Sequence, residues 1–144
     1  MNHDARLHLE DLLDREIELA RTLAAALDAE KSALTGQSPE VVTQLAAEKI
    51  RLFATIEQLE NERRALCTNP SGPGIAATVV ARWRSLMALM ARCRNANDLN
   101  GHIIRARQHQ VSQLIDIVRG RPTPITYDTH GKTFANALRA LAKA

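Results

Sequence analysis

The sequence of 144 residues is nearly devoid of aromatic side chains: one Trp, one Tyr and two Phe. So few rings cannot wall a deep ligand pocket. Glycine is scarce as well, with six residues, and the apolar set is dominated by Ala and Leu. That composition suits long helices packed along their sides better than a thick globular core. The longest uninterrupted apolar runs are a handful of residues, too short for a transmembrane helix, so no direct membrane insertion is expected. The N-terminal stretch MNHDARLHLEDLLDRE is charged and amphipathic, with no apolar h-region and no cleavage pattern. It does not read as a signal peptide, and the expected location is the cytoplasm.

Catalytic patterns are missing too. There is no Walker motif, no GxGxxG after a strand, no nucleophile elbow and no HExxH. The two cysteines, Cys67 and Cys93, stand far apart in helical segments, and no CxxC or tight Cys/His cluster exists. Buried thiols in a reducing compartment are the simpler reading. His102 and His109 lie seven residues apart, two helical turns, which is too far for one mononuclear metal site. The acids are spread along helices and do not converge on a pocket. The expectation is a protein that is not an enzyme, with no cofactor and no metal.

What is present is helical periodicity. Leu9, Leu13, Ala20, Leu23, Leu27 and Leu34 recur at spacings of three, four or seven and predict a helix over about 5–35, stopped by Gly36. Ser38-Pro39 supplies a capping residue and a proline at the first helical position, opening a second helix over 39–66. Leu45, Leu52, Leu59 and Leu66 repeat every seven residues along it, a coiled-coil period. The short link makes these helices antiparallel neighbours. Asn69-Pro70-Ser71-Gly72-Pro73-Gly74 breaks the chain and predicts an exposed, mobile loop.

A third helix is predicted over 75–118, with Val79, Trp83, Leu86, Met90, Cys93, Ile104, Val111, Leu114 and Val118 on its stripe. Asn97, Asn100 and Arg107 interrupt that stripe, and Gly101 sits within it, where Gly is about 1 kcal/mol worse than Ala. A kink, a helix break or the close approach of another backbone would each account for this cluster. Arg121-Pro122-Thr123-Pro124 ends the pattern. Phe134, Leu138 and Leu141 then recur at i, i+4 and i+7 as a short amphipathic helix that needs a partner surface. The fold expected is all-α: an antiparallel bundle or coiled coil of three long helices over 1–119, then a linker and short helix over 120–144.

Four charges fall on the apolar stripes. Glu16 and Glu30 stand in register with Leu9 and Leu23, and Lys49 and Arg63 with Val42 and Ile56. Facing residues of an antiparallel pair have numbers that add to a constant, and both Glu30 with Lys49 and Glu16 with Arg63 give 79. A turn centred on the link gives a value near 75, so this register is offset by roughly one helical turn. The expectation is two cross-helix ion pairs that fix the hairpin register, as polar core positions do in coiled coils. The contrary reading has all four side chains reaching solvent separately.

Charge is unevenly divided. Residues 1–66 carry 13 acids and 8 bases, and residues 67–144 carry 11 bases and 3 acids, with eight arginines between Arg82 and Arg121. A basic stripe is compatible with nucleic acid, but no aromatics interleave it, and a solvated face attracted to the acidic half of the same chain explains it more simply. A purely structural coiled-coil oligomer is a second alternative, less economical because Glu16, Glu30, Asn97 and Asn100 stand on the stripes. A homodimer would cover apolar surface that so thin a bundle leaves exposed.

The segment Cys93-Arg94-Asn95-Ala96-Asn97-Asp98-Leu99-Asn100-Gly101, followed by the Arg- and Gln-rich run Ile103–Val111 and by Leu114 through Gly120, resembles the signature of the FlgN-like flagellar export chaperones. Tyr127-Asp128-Thr129-His130-Gly131-Lys132-Thr133 resembles the Tyr-x-x-x-Gly-x-Thr motif of the same family. The N-terminal half is similar in Leu12-Leu13 with Glu16, in Asp28 and Lys31, and in Glu62-Arg63-Arg64. The resemblance implies a cytoplasmic chaperone for the two hook–filament junction proteins, binding their C-terminal helical segments before export. It implies delivery to the cytoplasmic domain of the export-gate membrane protein, with Tyr127 and Gly131 in the docking motif. It also places Asn97, Asn100, Gly101 and Arg107 in the family's motif helix. On physical grounds, Phe134, Leu138 and Leu141 are expected to cover the groove used by substrate, or to contact substrate.

Overall fold

In a computed structural model of the chain, residues 1–36 and 38–120 are described. They form three α-helices with no strand among the described residues: α1 (His3–Gly36), α2 (Pro39–Leu66) and α3 (Ala77–Val118). The short C-terminal helix expected around Phe134 lies outside the described residues.

The helix ends follow from local chemistry, in places differently from expectation. Asn2 caps α1: its Oδ1 accepts from the Ala5 N–H at 2.8 Å, so the helix starts earlier than its apolar pattern does. Gly36 belongs to the last turn of α1, and the chain closes with the Ser38 N–H donating to the Ala33 carbonyl, a bond that spans one residue more than a helical turn. Ser38 precedes α2 without a side-chain capping bond; Pro39 at the first helical position starts the helix instead, because its missing N–H needs no acceptor. The Asn69–Gly74 loop is better anchored than its Pro and Gly content suggests. The Asn69 side chain accepts from the Ser71 N–H and hydroxyl, its carbonyl accepts from the Gly72 N–H, and Pro70 is buried. At the far end of α3, Gly120 has φ +70° and closes the helix in the left-handed region.

Helix α3 runs without interruption through the Asn97–Gly101 cluster, and nothing lies within 4 Å of where a Cβ would sit on Gly101. The helix therefore does not break at Gly101, and among the described residues no other backbone approaches it closely. The chain resolves into two compact units, and the division falls inside α3, between Ala96 and Asn97.

In the unit ending at Ala96, α1 is the central element. Its buried face runs from Leu9 to Leu34. Leu9, Leu13, Ile17 and Ala20 pack with Val79 and Leu86 of α3. Leu23, Ala24 and Leu27 pack with Ile56 of α2 and Cys93 of α3. Glu10 with Thr78, Asp14 with Arg82 and Asp28 with Arg92 link residues 64 to 68 apart, so α1 and this part of α3 run parallel. Helix α2 is less evenly held than its leucine repeat suggests. Only Ile56, Leu59 and Arg63 are buried on it; Leu45 and Leu52 are half-buried and Leu66 is exposed.

Candidate functional site

The four charges on the α1 and α2 stripes meet in pairs. Lys49 Nζ lies 3.2 Å from Glu30 Oε2, and Arg63 Nε lies 3.2 Å from Glu16 Oε1. Glu16 and Arg63 are each only 3% exposed. Burial pushes the Glu16 carboxyl up from its ordinary value; Arg63 pulls it back only in part, and the charge of Glu60 pushes it further up. Arg63 also stacks on Trp83 of α3, its guanidinium carbon 4.5 Å from the ring centroid. Glu60 and Arg64 complete this layer, with an Arg64–Glu60 pair at 2.6 Å and Arg63 at 3.8 Å from Glu60. The Trp83 contact has no counterpart in the sequence reading, because no spacing rule reports which residue of a third helix meets a paired arginine. The α1 to α3 links of Asp14 with Arg82 and Asp28 with Arg92 have a faint signal in the acidic first half and arginine-rich second half.

Other chemistry is quiet. Cys93 is buried, its thiol donates to the Ala20 carbonyl at 3.4 Å, and burial raises its proton affinity, which keeps it a packed thiol. Among the described residues no group of His, Cys, Asp and Glu could hold a metal ion. A shallow groove between α1 and α3 in the first unit is lined by Asp14, Ile17, Glu18, Arg21, Arg82 and Ser85, among others. Its charges already answer one another, Arg82 with Asp14 and Arg21 with Glu18.

The unit that starts at Asn97 carries a different surface. Asn100 is buried, Asn97, Gly101 and Arg107 are half-buried, and Ile103 and Ile104 are half-buried beside them. Toward the end of α3 the apolar stripe continues but burial stops. Val111, Leu114, Ile115 and Val118 recur at i, i+3, i+4 and i+7, and all four are exposed, Leu114 at 61% and Val118 at 85%. Four large aliphatic side chains on one helix face are more than scattered surface residues, and such a face is suited to packing against another apolar surface. The sequence places these residues on a core-like stripe; only the structure shows that they are open. Tyr127, Gly131, Phe134, Leu138 and Leu141 lie outside the described residues.

The sequence matches the family model for the FlgN protein over residues 6–134. The chain belongs to the FlgN family. No curated protein and no solved structure matches it significantly. Membership in the FlgN family makes the chain a chaperone of flagellar export, with flagellar hook-associated proteins as its class of cargo. Among the described residues of this FlgN protein, no helix is long and apolar enough to cross a membrane.

Proposed function

We propose that this FlgN family member binds the C-terminal helical segments of the hook–filament junction proteins in the cytoplasm, keeps them from assembling early and delivers them to the export gate. The observation that carries this reading is the open stripe of Val111, Leu114, Ile115 and Val118 on α3. An amphipathic helix laid on it would bury apolar area on both partners, the usual way a helical scaffold takes a helical ligand. Arg107 and Arg119 flank the stripe and suit a cargo helix with acidic edges. Asn97, Asn100 and Gly101 belong to the motif helix that leads into it.

Tyr127 and Gly131 form the docking motif for the cytoplasmic domain of the export-gate membrane protein; a lone aromatic between prolines and glycine suits an interface anchor. Phe134, Leu138 and Leu141 have the spacing of a helix that would lie on the same kind of apolar face as cargo. In a fraction of the free protein they fold back over the stripe, and cargo displaces them and presents Tyr127. A nucleic-acid partner gains little from the basic half of the chain, since Arg82 and Arg92 already pair with Asp14 and Asp28 of α1.

Calorimetric titration with the C-terminal helical segments of the junction proteins, at low and high salt, tests the reading. Micromolar or tighter binding that survives salt, with a negative heat-capacity change, is expected for a cargo helix on an apolar face. Binding that salt abolishes, or that any polyanion reproduces, would reject it.

A further inference from the structure

The leucine repeat of α2 is ambiguous about where α2 pairs along α1. In the structure, facing numbers add to 79, as Glu16 with Arg63 and Glu30 with Lys49 show. Helices ending at Gly36 and starting at Pro39 are centred on a value of 75. A slip of one heptad gives 72, so the connector lies nearly midway between the two registers. The slipped pairing keeps much of the apolar seam: it sets Leu13 against Leu59, Ala20 against Leu52 and Leu27 against Leu45. Hydrophobic pattern and loop length together therefore do not choose.

The stripe charges make the choice. In the slipped register Glu16 would face Ile56, Glu30 would face Val42, Lys49 would face Leu23 and Arg63 would face Leu9. Each would lose its ionic partner and face an apolar side chain, which is strongly unfavourable for the buried ions Glu16, Glu30 and Arg63. In the observed register all four are paired, and Arg63 also meets Trp83, so α3 reads the same layer.

We propose that the Glu16–Arg63–Trp83 layer and the Glu30–Lys49 pair are register pins, retained to exclude the heptad-slipped pairing of α1 and α2. Their role is selection among pairings and not net stabilisation. The raised proton affinity of Glu16 agrees with this, because burial together with the charge of Glu60 outweighs the attraction of Arg63 for that carboxylate.

The test uses the full chain with nitroxide labels at Thr22→Cys and Glu57→Cys, both exposed positions that face each other in the 79 register, in a Cys67→Ser, Cys93→Ala background. Dipolar spectroscopy on the pinned chain should give one distance. A pinless chain with Leu at all four positions should keep its helix content and show a second, longer distance, from an axial shift of about 10 Å. A second chain moves the cations back one heptad: Val42→Lys, Lys49→Val, Ile56→Arg and Arg63→Ile. It pairs Glu30 and Glu16 only in the slipped register and should show the longer distance alone. Size exclusion at the labelling concentration separates a slipped monomer from chains that pair between copies, and either one in the pinless chain counts as loss of register. The native distance alone in either variant, or loss of helix in either, overturns the proposal.

Discussion

Arg63 is an ion with almost no water, and its neighbours decide what removing any one of them does. Glu16 and Arg63 form one pair, but truncating the two partners is not symmetric. Burial raises the Glu16 carboxyl above its ordinary value of 4.5, so the folded state holds that proton more tightly than the unfolded chain does. Ionising Glu16 then works against folding: this group's contribution to stability falls as pH rises from about 4.5 through the raised folded value, and is flat below both. The groups facing it are Arg63, Glu60 and Arg64 from α2 and the uncharged Trp83 from α3. Glu16→Gln keeps an acceptor for Arg63 and should leave the urea midpoint at neutral pH unchanged or higher, while removing that stretch of pH dependence. Arg63→Gln leaves a carboxylate enclosed without its cation and should lower stability by about 3–5 kcal/mol. Fluorescence of Trp83, the single tryptophan, reports both unfolding curves. Equal losses from the two variants would contradict the assignment.

At the scale of elements, α3 is one helix with two fates along its length. Val79, Leu86 and Cys93 are buried, whereas Val111, Leu114 and Val118 on the same sequence stripe are open. Leu114→Glu should leave helix content by circular dichroism unchanged, since both residues are good helix formers and the site is exposed. It should weaken binding of the cargo segment more than tenfold, because burying one Leu is worth about 1.5–3 kcal/mol. Unaltered affinity would move the cargo site off this face. Gly101 allows a second check. Its backbone is helical and the space where a methyl group would stand is open, so Gly101→Ala should stabilise the protein by about 1 kcal/mol, seen as a higher thermal midpoint. A loss of stability would mean that something occupies the space beside Gly101.

For the whole molecule, the proposed self-covering of the stripe makes the C-terminal segment a competitor of cargo. Deleting residues 132–144 removes Phe134, Leu138 and Leu141 and should raise cargo affinity in the same calorimetric titration. The gain reflects the fraction of free protein whose face is covered, since apparent affinity scales with the competent fraction. Unchanged or weaker binding would reject self-covering while leaving cargo binding on α3 intact, as the Leu114 variant tests that separately.

Much of the fold is legible in the sequence because it is local or periodic. A repeat of three, four and seven apolar positions dictates long amphipathic helices, Pro39 dictates where α2 starts, and a two-residue link dictates that α1 and α2 run antiparallel. The partners of the stripe charges are readable too, since a constant sum of residue numbers ties Glu16 to Arg63 and Glu30 to Lys49. Three things depend on the tertiary structure. Pro70 is buried in a loop whose Pro and Gly content reads as exposed, and burial of a loop residue is decided by the fold around it and not by a local rule. Trp83 reaches Arg63 because α3 lies alongside α1 in parallel, an arrangement set by packing between distant segments. The stripe of α3 resumes after its polar interruption at Asn97, Asn100 and Arg107 and runs on to Val118, yet periodicity reports only which face is apolar, and burial requires a second surface to cover it.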